Sequence, residues 1–193
     1  MAGSKKNAEK EGRTIVFVDE SGLSERPYRV RTWAPRGQTP VLQYHFNWNH
    51  LSAIAGITLW NFYFRLFPGS IGSRQVVIFL AHLLRHLRRK LLVIWDSPNI
   101  HRGRLIWEFV ASKDPLIKLA FLPGYAPQLN PVEYIWGHLK KHELPNLCPR
   151  DFAQLGYNAR LALRRMRRRP TLVTAFWKQS GLFLVVTILC DTQ

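Results

Sequence analysis

Acidic residues are scarce in this chain: 12 of its 193 residues are Asp or Glu, against 28 Lys plus Arg, for a formal charge of +16. Such an excess attracts polyanions, either nucleic acid or an anionic membrane surface. Cysteine is scarcer still. Cys148 and Cys190 form no metal-binding spacing, which argues against a zinc site and suits a reducing cytoplasm. No apolar run reaches the roughly 18 residues of a membrane span. Met1 to Arg13 is polar and charged, unlike a secretory signal. A phosphate-cradling glycine loop is missing, which argues against ATP hydrolysis, and so is the G-x-S-x-G elbow of a serine hydrolase. There is no internal repeat and no low-complexity linker.

Apolar bulk is what the chain has in quantity. Hydrophobic residues make up 47%, with 11 Phe, 7 Trp and 6 Tyr, enough for a substantial core in one large domain. Thr14 to Val18 reads as a buried strand that ends in Asp19-Glu20-Ser21-Gly22. Tyr28 to Trp33 and Val41 to Tyr44 alternate on either side of the Ala34–Pro40 loop, predicting a β-hairpin with a basic outer face. Leu51 to Leu59 and Asn61 to Phe67 complete an antiparallel meander. From Ser73 to Arg89 the apolar residues recur at helical spacing, and Arg85, Arg88, Arg89 and Lys90 read as its cationic end. Leu91 to Trp95 is a second buried strand with an acid, Asp96, directly after it. A helix from His101 to Ala111 and a strand from Leu116 to Leu122 follow.

The next stretch carries three prolines and a glycine before Asn130, a good N-cap, and Pro131, suited to the first helical position. Glu133 then lies in the first turn. It could be a capping-box residue reaching back to the backbone, just as Asp19 could be a turn former before Ser-Gly. After Pro145 and Pro149, a long helix is predicted from Arg150 to Arg169, with Phe152, Leu155, Ala159, Leu163 and Met166 inward and Pro170 ending it. Arg160, Arg164, Arg167 and Arg168 form a stripe with Arg165 and Arg169 beside it. No acid intervenes, so mutual repulsion predicts contact with phosphate. Leu182 to Cys190 reads as an edge strand or an altered reading frame. The resulting layout is a polar tail at residues 1–13, a domain over 14–183, and a C-terminal tail at 184–193.

Two strands tipped by acids and a helix that delivers a third suggest one site. Alternating strands and helices imply a mixed sheet with helices on its faces, where Asp19 and Asp96 meet if their strands are parallel neighbours. Three converging carboxylates repel each other, and a hard divalent cation relieves that repulsion. Two Mg²⁺ or Mn²⁺ ions there would clamp the attacking and leaving oxygens of a phosphoryl displacement on nucleic acid.

The residues resemble a known family. Phe17-Val-Asp19-Glu20-Ser21, Trp95-Asp96-Ser-Pro-Asn-Ile-His101-Arg102 and Tyr125-Ala-Pro-Gln-Leu-Asn130-Pro-Val-Glu133-Tyr-Ile-Trp136 look like the three motifs of DDE transposase catalytic domains. The nearest group is the bacterial insertion-sequence transposases related to mariner elements, which the Arg31–Pro40 loop and the short interval from Asp96 to Glu133 also resemble. Ser97 departs from that pattern, where Asn is frequent. The resemblance implies a ribonuclease H-like fold, Asp19, Asp96 and Glu133 as ligands of two Mg²⁺ or Mn²⁺ ions, cleavage at transposon ends and joining of the 3′-hydroxyl to target DNA. It further implies a cytoplasmic, nucleoid-associated protein that forms a homodimer in its DNA complex, with the Ala34–Pro40 loop as an inter-subunit contact. Such proteins carry an N-terminal helix-turn-helix. Nothing before Thr14 reads as one, so the chain reads as a catalytic half, whether a fragment, a second reading frame or a decayed copy, and a separate chain carrying a helix-turn-helix could recognise the element ends. Arg102, Arg160, Arg164, Arg167 and Arg168 are expected to touch DNA. His101 could touch DNA or cap the following helix. Lys140 and Lys141 could touch phosphate or remain solvated, and Trp136 reads as core packing. A stand-alone endonuclease of the same fold, or a DNA-binding remnant that no longer cleaves, are the alternatives.

Overall fold

The computed structural model describes residues 11–44, 49–95, 103–123 and 127–182. Among them, five strands form one mixed sheet in the order β3-β2-β1-β4-β5. The strands are β1 (Thr14–Ser24), β2 (His50–Ile57), β3 (Phe62–Pro68), β4 (Leu91–Trp95) and β5 (Ile117–Phe121). β1, β2 and β3 run antiparallel to one another, while β4 and β5 lie parallel to β1 on its other side. The helices are α1 (Ser73–Leu87), α2 (Arg104–Ser112), α3 (Pro131–His138), α4 (Phe152–Arg167) and α5 (Pro170–Gln179). The expected meander and the helix at Glu133 are present, but β1 runs on through Asp19 to Ser24 instead of ending before it, and Asp96 lies outside the described residues.

Strand alternation divides the core in two. Val16 and Val18 of β1 pack with Val76, Phe79, Leu80 and Leu83 of α1 and with Ile106 of α2. Phe17 faces the opposite layer, with Val132, Ile135 and Trp136 of α3, Leu163 of α4 and Trp177 of α5. Full burial of side chains of this size stabilises by about 1.5–3 kcal/mol each. On the α1 face the packing around Gly56 is close. A Cβ on Gly56 would lie 3.0 Å from Val16 Cγ1 and 3.3 Å from Phe79 Cζ.

Three further expectations need correction. The described residues of the segment 25–44 form no hairpin. Their one ladder contact is a bridge from Tyr28 to Pro145. Val30 spends its backbone on Asn146 instead, donating to Oδ1 at 2.9 Å and accepting from Nδ2 at 3.0 Å. Trp33 and Val41 are 100% and 80% exposed, so the apolar residues that suggested strands have no layer to pack on. Pro170 does not merely end a helix: it opens α5 from its first position, where a missing N–H costs nothing. Finally, the arginines at the end of α4 do have an acid nearby, as described below. The expected edge strand of Leu182 to Cys190 lies almost wholly outside the described residues, as does most of the N-terminal tail.

Candidate active site

Asp19 lies within β1, directly after Val18, whose parallel partner on β4 is Trp95, and opposite Ala55 of β2. Two positions after Phe17, it faces the α3 layer and is only 6% exposed. Its Oδ2 accepts a hydrogen bond from Trp136 Nε1 at 2.9 Å. Trp136 is thus more than the core packing expected of it. It carries the one N–H donor that an indole has, and aims it at a carboxylate.

α3 is fastened along β1 at three successive points. Asn130, fully buried, caps the helix by accepting from Val132 N at 3.2 Å, and its Nδ2 donates to the Val18 carbonyl at 3.3 Å. Trp136 reaches Asp19. Lys140 Nζ then donates to Ser21 Oγ at 2.8 Å. The last contact depends on a π-helical turn, Leu139–Glu143, closed by a bond from Leu144 N to Leu139 O at 2.9 Å. Such insertions re-aim side chains and are frequent at functional sites.

Glu133 sits in the first turn of α3, one turn before Trp136 and exposed. Trp136 turns inward to Asp19, whereas Glu133, one turn earlier, stays at the surface. Glu133 also borders a cavity of about 240 Å³ lined by Tyr134, His138, Lys141, His142 and Phe176. Burial, with help from His142 and Arg169 and against the pull of Glu143, lowers the His138 pKa.

Of the other expected residues, Asp96, His101 and Arg102 lie outside the described residues. Lys140 is engaged with Ser21, and Lys141 is exposed at the cavity rim. Arg160, Arg164, Arg167 and Arg168 are all exposed along α4. Arg167 lies over the Phe64 ring at 6.0 Å. Arg165 and Arg169 turn to Glu143, with Arg165 Nε 2.9 Å from Oε2 and Arg169 Nη1 3.5 Å from Oε1. The acid that the local sequence lacks comes from the π turn.

Sequence reasoning missed Ser21, the second bond of Asn130 and the role of Glu143. All three are long-range pairings without a local signature. Only the Trp at one turn beyond Glu133 was a usable sign.

Solved structures share this architecture. The Mos1 transposase paired-end complex with left transposon end is 14% identical with a TM-score of 0.67, over 97% of this chain and 59% of that one. The Mos1 mariner paired-end complex with Mn is 15% identical with a TM-score of 0.64, over 97% and 60%. The catalytic domain of Mos1 mariner transposase is 13% identical with a TM-score of 0.61, over 94% and 83%. The chain thus has the ribonuclease H-like fold, and spans less than two thirds of the transposase chains in the two complexes. No curated protein matches it. Residues 14–156 match the family model of the DDE superfamily endonucleases, and the chain belongs to that family.

Proposed function

We propose that the chain is the metal-dependent catalytic core of a transposase, which cuts DNA at element ends and joins the freed 3′-hydroxyl to target DNA. The observation that carries this reading is the buried Asp19 carboxylate, held by the helix that also bears Glu133. The sequence after Trp95, the partner of Val18, continues with Asp96. The family resemblance makes Asp96 the second acid of the proposed site.

The donor set suits a hard divalent cation, since carboxylate oxygens are the preferred ligands of Mg²⁺ and Mn²⁺. The Trp136 bond does not exhaust Asp19, because an ionised carboxylate offers about four lone-pair sites. Mn is named with one of the structurally similar complexes. Asp19, Asp96 and Glu133 would hold the ions, two by the chemistry of in-line displacement, which when bound would activate the attacking oxygen and stabilise the leaving one. The chain's own part is positional. Trp136 fixes the Asp19 rotamer, Asn130 and Lys140 set the height of α3 along β1, and the exposed arginines of α4 supply phosphate contacts. DNA is the expected substrate, with a second copy of the chain in the complex and end recognition supplied by residues other than 14–182.

The test is nicking of supercoiled plasmid with Mn²⁺ by the wild type and by Asp96→Ala. Loss of nicking in the variant is expected, and equal nicking would remove the catalytic reading. Joined products with an added 3′-hydroxyl oligonucleotide then separate transposase from simple endonuclease.

A further inference from the structure

Few acids are available to neutralise the basic side chains, and the structure shows where they go. Glu11 takes Arg13 and Lys118, Glu108 takes Arg104, and Glu143 takes Arg165 and Arg169. Several cations remain without an ion pair among the described residues, and one group of them surrounds His82. Arg65 on β3, Arg85 on α1 and Arg167 at the end of α4 have no ion-pair partner among the described residues, and all three act electrostatically on His82. Two imidazoles join them: the His82 and His86 rings are 4.0 Å apart, with Tyr63 at 6.4 and 6.1 Å from each. His86 is exposed and donates its Nδ1 to the His82 carbonyl at 2.8 Å, which leaves Nε2 to a ligand. The Nδ1 of His82 is buried without a hydrogen-bond partner.

The cluster straddles β3, the edge strand of the sheet. Arg65 and Tyr63 alternate toward α1, while Arg167 comes over Phe64 from the opposite layer. The register gives its height. Asp19 pairs with Ala55, and Ala55 with Phe64, so this edge is level with Asp19 and two strands away, roughly 10 Å at the usual strand spacing. A duplex presents one phosphate charge per about 1.7 Å of its axis, so a segment lying over Asp19 carries several phosphates to the β3 edge. Like charges gathered without acids raise the energy of the free protein, and a polyanion relieves that cost.

We infer that the β3 edge, through Arg65, Arg85, His86 and Arg167, is a second anchoring surface for the phosphate backbone of duplex DNA. It rests on the DNA reading above but assigns residues outside the acidic site. It also ranks the cations: Arg165 and Arg169, already held by Glu143, contribute little.

The test is fluorescence anisotropy with a short duplex over a salt series, comparing Arg65→Gln/Arg85→Gln with the charge-matched Arg165→Gln/Arg169→Gln. For the first pair the slope of log affinity against log salt should become shallower by about 1.8, two contacts at about 0.9 each, so the loss of affinity between about 50 and 200 mM salt shrinks roughly tenfold. The second pair should keep most of the wild-type slope. Equal slopes for both pairs, whether reduced or not, overturn the inference. Arg85→Gln alone, exposed on α1, is the variant safe for folding and should lower the slope by about half as much. If wild type binds no duplex at all, the DNA reading itself fails. If it binds and nicks but both pairs behave alike, only this surface is wrong.

Discussion

Trp136 Nε1 donates to Asp19 Oδ2 at 2.9 Å, so a helix residue holds the carboxylate of a strand 117 positions earlier in the chain. This bond couples the position of α3 to the middle of β1. Trp136→Phe keeps most of the bulk and deletes the donor. Loss of a hydrogen bond to a charged group costs about 1.5–3 kcal/mol. Mn²⁺-dependent nicking should fall and the Mn²⁺ concentration for half-maximal nicking should rise, as a metal titration of both proteins will show. An unchanged metal midpoint would separate Trp136 from the site.

Asn130 performs two tasks with one amide, capping α3 and bonding to Val18 O. Asn130→Ala should cost about 0.5–2 kcal/mol for the cap and a further 1–3 kcal/mol for the buried carbonyl left unpaired. Asn130→Asp keeps the cap acceptor but loses the donor and buries a charge, so it should be no milder. Urea denaturation measures both.

Gly56 is favoured by space rather than by backbone angles. Gly56→Ala should destabilise by about 1–3 kcal/mol, because the new methyl would press on Val16 and Phe79 in a packed layer. A melting temperature equal to that of wild type would show that α1 can shift away at no cost.

Burial holds the His82 pKa down at about 4, with His86, Arg65, Arg85 and Arg167 adding to the effect and Tyr63 alongside. The unfolded chain binds this proton near pH 6.5, so the folded state is disfavoured as it becomes available. Stability should be full above about pH 6.5 and decline as pH falls toward about 4. His138, lowered in the same direction, adds to the slope. Thermal melts across this range should decline less steeply for His82→Leu than for wild type.

Glu143 gathers Arg165 and Arg169 although it belongs to the π turn, and its own side chain is largely enclosed. Glu143→Gln releases two guanidinium groups to solvent. DNA binding should gain salt dependence, by up to about 1.8 in the log–log slope, while stability falls by about 1 kcal/mol. Anisotropy over a salt series, paired with thermal melts, checks both parts.

Much of this protein is written locally. The runs Thr14–Val18 and Leu91–Trp95 are continuous β-branched and aromatic stretches that can only be buried, and each is followed by an acid. Asn130-Pro131 starts a helix wherever it occurs in such a context, because a cap acceptor and a residue needing no N–H donor are both local properties. Hydrophobic periodicity likewise shows in α1 and α4. The Tyr28–Tyr44 alternation misled for the same reason that the others succeeded: period alone does not say whether another layer exists to cover a strand, and here Asn146 claims its backbone bonds.

Pairings across the fold belong to a different kind of information. That Trp136 meets Asp19, that Lys140 meets Ser21, and that Glu143 rather than DNA satisfies Arg165 and Arg169 depend on which elements lie side by side. Composition and spacing name the residue types able to do chemistry. Packing, which sums many weak contacts between segments distant along the chain, selects which of them touch, and that selection distinguishes a held carboxylate from an ordinary turn and an unpaired arginine from a neutralised one.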